Sequence, residues 1–215
     1  MRTKLVNADS NRDIEAFSTI VDHILAMWTY WEHLFDFPRV TDEIANLYER
    51  STPKLLSYVR WSLLMSAALE IAKLGDPEVQ MGRENLTLRL IYGHIEVAAT
   101  GSEAKALRTA MNYALGIIQS NPFRQFRHRV LVHFDRLTAV GDEVNDVDIE
   151  LLGRAVAALA NFRLRAEAVV EGKPIIIATG ENFIVGDEVR GPLREEADRF
   201  LQLLSAGLTA HPQAL

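Results

Sequence analysis

Apolar residues recur at intervals of three and four along most of the chain, and the interruptions divide it into helix-sized segments. From Ser10 to about Phe35 the stripe runs Ile14, Phe17, Ile20/Val21, Ile24/Leu25, Trp28, Trp31/Leu34, which predicts a long helix. Ser10 and Asp13 resemble a capping pair, and Phe37-Pro38 ends the segment. Its aromatic residues, Trp28, Tyr30, Trp31 and Phe35, could stack on bases. They continue the apolar stripe, however, so core packing is the expected role.

Thr41 to Glu49 reads as a short helical turn. Thr52-Pro53 then supplies an N-cap followed by proline at the first helical position, opening a helix to about Leu74 that Gly75 stops. Asp76-Pro77 starts a loop through Gly82. Asn85 is the expected cap of a helix from Leu86 to about Ala99, and Ser102 that of a helix running to Ile118. Asn121-Pro122 leads into a helix to about Leu137, whose buried side would be Phe126, Val130, Phe134 and Leu137.

After an acidic loop from Thr138 to Asn145, Asp146 opens a long helix to Val170, closed by Gly172. Lys173–Ala178 and Asn182–Val185, around Thr179-Gly180-Glu181, predict a β-hairpin, and Pro192 to about Ala206 a terminal amphipathic helix. The expected fold class is all-α. A bundle of five or six main helices fills residues 1–172, and residues 173–215 add the hairpin and terminal helix. An isolated hairpin is marginal in water. The 173–215 segment is therefore expected to pack on the bundle or on a partner rather than to form a domain of its own.

Composition narrows the chemistry. The chain of 215 residues has no cysteine, which excludes disulfides, zinc–thiolate sites and cysteine nucleophiles, and suits a cytoplasmic location. The Met1 to Asp9 segment turns polar too soon for a signal peptide, and no apolar run is long enough to span a membrane. A net charge of −6 argues against broad duplex binding, which depends on neutralising many phosphates. It leaves room for a focused phosphate site.

One stretch reverses that charge. Residues 122–137 hold Arg124, Arg127, Arg129 and Arg136 against the single acid Asp135, a formal balance of about +3. His128 and His133 lie among them. Arginine grips phosphate through its planar fork and histidine moves protons near neutral pH, so the combination points to phosphodiester chemistry. Spacing alone is weak support, because Arg89 and His94 repeat the pairing in an apolar setting with no polar neighbours in sequence. No phosphate loop, serine-hydrolase signature or Glu-x-x-His pairing is present. A metal site gathering several of His23, His33, His94 and His133 is a further alternative.

The run Arg127-His128-Arg129-Val130-Leu131-Val132-His133-Phe134-Asp135 resembles the Arg-polar-(x)n-His motif of the HEPN superfamily. It is most similar to the abortive-infection AbiU-like branch, where the motif reads Arg-Asn-Lys-x-x-Ala-His-x-Asp. Here His128 stands in place of the Asn and Val132 in place of the Ala. The Trp61 to Leu69 stretch, leading to Asp76 and then Gly82 to Leu88, agrees with that branch, so the likeness covers about Met27 to Asp135.

The resemblance implies a helical, metal-independent endoribonuclease of the abortive-infection or toxin type, with no cofactor, acting on RNA as a homodimer whose motifs face each other. Arg127 would hold the scissile phosphate and stabilise its growing charge, and His133 would act as general base or acid. His128, Arg129, Arg124 and Asp135 would support phosphate binding or orientation. An antitoxin protein is a conceivable partner. On an ideal helix Arg127 and His133 sit ~120° apart and ~9 Å along the axis, so one motif alone is a poor catalytic pair. A two-fold arrangement lets the Arg of one copy meet the His of the other. The second reading is a HEPN-like module that binds RNA, nucleotide or protein without cutting.

Overall fold

In the computed structural model the chain is described over residues 8–35, 53–80, 82–132, 146–173 and 187–210. The described chain is predominantly helical and fits an all-α bundle. Its helices are α1 (Ala8–Phe35), α2 (Pro53–Leu74), α3 (Leu88–Glu96), α4 (Gly101–Ile118), α5 (Asn121–Val132), α6 (Asp146–Glu171) and α7 (Asp187–Ala210). Between α2 and α3, where a loop is expected, β1 (Val79–Gln80) and β2 (Arg83–Glu84) pair antiparallel, with Val79 opposite Glu84. The Thr41–Glu49 turn and all of the 173–185 hairpin but its first residue lie outside the described residues, as does any extension of α5 to Leu137. No helix among the described residues is long and apolar enough to cross a membrane.

The chain forms two compact units, and both α1 and α2 contribute to each. The first takes residues 8–24 with the described part of 68–173. There α4 packs on α6, α3 on α4, and α5 on both α4 and α6. Phe17 of α1 meets Phe162 of α6 edge to face at 5.6 Å, both fully buried, an aromatic contact that adds about 0.5–1.5 kcal/mol beyond area burial. Arg163 of α6 reaches Asp22 of α1 and donates to Glu167 at 2.7 Å. Burial pulls its pKa down, but the Glu167 and Asp22 carboxylates outweigh that and hold it above the usual arginine value.

The second unit takes residues 25–35, 53–67 and 187–210. Trp28 and Trp31 stack at 5.2 Å and are buried together with Phe35, the core role expected of the aromatic cluster, whereas Tyr30 is only partly buried. On α1, Tyr30 donates to Glu196 of α7 at 2.6 Å and His33 meets Asp198 at 2.8 Å, a pair of polar ties along one helix edge. Burial, with the hydrogen bond to Glu196 and its charge, pushes Tyr30 up to about 12.

Caps differ from the sequence reading in instructive ways. Thr87, not Asn85, caps α3, its hydroxyl accepting from the Leu90 N–H. Asn85 is occupied in closing the small hairpin, its side chain donating to the Pro77 carbonyl at 2.9 Å. Thr100, not Ser102, caps α4, and Glu103 reaches back to the Thr100 N–H to complete a capping box. Gly172, at φ +68°, closes α6 as expected. Its N–H bonds the Val169 carbonyl and that of Lys173 bonds Ala168, the paired bonds of a Schellman motif. Helix α7 starts at Asp187, five residues before the expected Pro192, which it accommodates within its second turn.

Candidate functional site

The arginine-rich helix α5 is anchored from its first turn. The Ser120 hydroxyl accepts from the Phe123 N–H at 3.3 Å, satisfying one of the helix's unpaired donors. Phe123 and Phe126 are fully buried and meet edge to face at 6.0 Å. With those two rings in the core, Arg124 and Gln125 are exposed, and Arg127 lies at the margin with its side chain 40% exposed.

Arg127 does not stand alone. Its Nη1 donates to Asp76 Oδ1 at 3.2 Å, a contact bridging 51 residues. Asp76 sits in the turn that ends α2, and this turn is pinned to the end of α4. Gln119 donates its side-chain amide to the Gly75 carbonyl at 2.9 Å. Gly75 itself leaves no space for a side chain: a Cβ there would lie 2.5 Å from Ile118 Cγ2. Residues at the end of the helix immediately before α5 thus help to place Asp76.

Of the residues singled out from sequence, Arg124 is exposed on α5 and Arg127 is half-exposed and paired with Asp76. His128 and Arg129 belong to α5, but their side chains are outside the described part, and His133 and Asp135 lie wholly outside it. Sequence reading did not find Asp76 as the partner of Arg127. No local pattern links them, although Asp76 directly follows the glycine that ends a helix.

A second polar cluster surrounds His94. His94 has no polar neighbours in sequence, yet Ser10 Oγ contacts its Nδ1 at 2.9 Å and its Nε2 contacts Asp13 Oδ2 at 3.0 Å. Ser10 and Asp13 are thus inside α1, which begins at Ala8, and both reach His94 of α3. The cluster has the composition of a hydrolytic triad. Ser10 is only 6% exposed, so its hydroxyl lacks the access a nucleophile needs, and the arrangement acts as a tie between helices. Tyr92, Glu96 and Arg108 form a comparable clamp between α3 and α4: Arg108 Nε donates to the Tyr92 hydroxyl at 2.8 Å and Tyr92 donates to Glu96. Among the described residues, no three His, Asp or Glu side chains are grouped to hold a metal ion, His23, His33 and His94 included.

Chemically, Arg127 offers a positive charge whose one hydrogen bond among the described residues is to Asp76, in a half-exposed position suited to a phosphate oxygen pair. A guanidinium cannot serve as a base, so any proton transfer falls to another side chain. Comparison with protein-family models, with curated proteins and with solved structures finds no match to this chain.

Proposed function

We propose that this protein is a metal-independent endoribonuclease of the abortive-infection or toxin type, working as a homodimer. The observation that carries the reading is Arg127, held half-exposed on α5 beside exposed Arg124, within the one strongly basic stretch of a chain of net charge −6. In this mechanism Arg127 binds the scissile phosphate and stabilises the charge that builds on its oxygens. His133 removes the proton from the ribose 2′-OH, or delivers one to the departing 5′ oxygen. The 2′ oxygen attacks phosphorus, the bond to the 5′ oxygen breaks, and the products are a 2′,3′-cyclic phosphate and a 5′-hydroxyl. The six-residue spacing of Arg127 and His133 favours a site built from the Arg of one copy and the His of the other.

Mixing variants tests both the residues and the dimer. In EDTA, Arg127→Ala and His133→Ala should each lose about 100-fold or more of the cleavage rate. An equimolar mixture, after subunit exchange, should recover a substantial part, because one site in each mixed dimer regains an intact Arg and His. Wild-type protein that binds RNA without cleaving it would favour the non-catalytic binding module instead.

A further inference from the structure

We infer that Asp76 is a positioning residue: it orients the Arg127 guanidinium so that its unused edge faces an RNA phosphodiester. The inference rests on the reading of Arg127 as the phosphate-binding group, and concerns how that group is held ready.

An arginine side chain on a helix surface samples many rotamers, and a productive phosphate contact requires its planar fork to be aligned beforehand. Here one contact, Nη1 to Asp76 Oδ1, biases the side chain toward one orientation. Nε and Nη2 make no hydrogen bond among the described residues, which leaves two parallel donors for two phosphate oxygens.

The contact is poorly suited to a purely stabilising role. It is single, its 3.2 Å exceeds the ~2.7–2.9 Å of a strong charge-assisted bond, and both side chains reach solvent. Pairs of this kind contribute little to stability.

The carboxylate, in contrast, is placed with care. The Asp76 N–H bonds the Lys73 carbonyl at 3.2 Å and the Gly75 N–H bonds Ala72 at 3.1 Å, tying the turn to α2. Gln119 and Ile118 hold the same turn from the α4 side. Gln119 lies eight residues before Arg127, so one short stretch of chain fixes both halves of the pair. A loop carboxylate without this support would drift and give no orientation.

The test is a double-mutant cycle on the full chain with a short RNA oligonucleotide, measuring kcat, KM and, in parallel, equilibrium RNA affinity in EDTA. Asp76→Ala should lower kcat about 10- to 100-fold, as loss of a partner that orients a metal-binding side chain does, with a smaller change in KM. Asp76→Asn, whose amide oxygen still accepts from Nη1, should retain most of the activity. In an Arg127→Ala background, Asp76→Ala should change nothing further. An equal loss in both backgrounds would show that Asp76 acts on the fold and overturn the inference. So would unchanged or raised activity in Asp76→Ala, the latter marking Asp76 as a competitor of phosphate. If Arg127→Ala itself leaves cleavage and affinity untouched, the proposed function fails and this inference with it. If no RNA is cut, the same cycle read on affinity decides whether Asp76 works through Arg127.

Discussion

Replacing Gly75 by alanine probes the joint that supports the candidate site. An ideal Cβ at this position lies 2.5 Å from Ile118 Cγ2 and 3.4 Å from Ile118 Cβ. Carbon atoms at optimal contact are ~3.5–4.0 Å apart, so the first distance is about 1 Å too short. Ile118 cannot readily yield, because it is buried and its β-branched side chain has one strongly preferred rotamer in a helix. Overpacking of this kind costs about 1–3 kcal/mol, and the lower backbone entropy of unfolded alanine offsets about 0.4–1 kcal/mol of it. The expected net loss is about 0.5–2 kcal/mol, read as a lower urea midpoint at unchanged slope. Ile118→Ala removes the obstructing methyl. Alone it should cost about 2–5 kcal/mol through the cavity it leaves, but in that background Gly75→Ala should be neutral or stabilising. An equal loss in both backgrounds, or none in either, would refute the close-approach reasoning.

Other measurements check the rest of the structure. Tyr30 has a pKa raised to about 12 in the folded state against about 10 unfolded, through burial and then its bond to the Glu196 carboxylate. The folded state therefore keeps its proton longer. The associated stability is complete below about pH 10 and declines as pH rises through about 12, whereas Tyr30→Phe should show a flatter pH dependence there. Tyrosinate absorbance during alkaline titration should lose part of its late-titrating component in the variant, the rest including Tyr92, which burial and its bond to Glu96 also raise. His94→Ala removes the shared partner of Ser10 and Asp13 and should cost about 1–3 kcal/mol in chemical denaturation. A smaller effect would mean that the three side chains do not tie α1 to α3.

Periodicity carried most of the fold. The α1 stripe from Ile14 to Phe35 is buried at the positions its spacing indicates, and α2 runs from Pro53 to Leu74, directly before Gly75. The misplaced caps share a cause. Several residues near each helix start can accept the backbone N–H, and the choice depends on what the preceding turn requires. Asn85 is engaged with Pro77, which leaves Thr87 to cap α3. Thr100 and Glu103 already carry the box spacing in sequence, a better signal than Ser102 alone. Pro192 suggested a helix start because proline favours the first turn, yet α7 carries it one turn further in.

The site was legible only in part. Arg127 and Arg124 stand out as basic residues in an acidic chain, since charge imbalance is a local property. Asp76 and the Ser10–His94–Asp13 tie were not legible, because their partners lie 51 to 84 residues away and depend on how the helices pack. Tertiary polar contacts of this kind have no periodicity.

The central claim is that Arg127 and His133 cleave RNA without a metal, and the 3′ ends of the products test it most directly. Wild-type protein incubated with RNA in EDTA should leave 2′,3′-cyclic phosphate ends, and both Arg127→Ala and His133→Ala should abolish them. Cleavage that persists in both variants, or that yields 3′-hydroxyl ends and stops on chelation, would contradict the account.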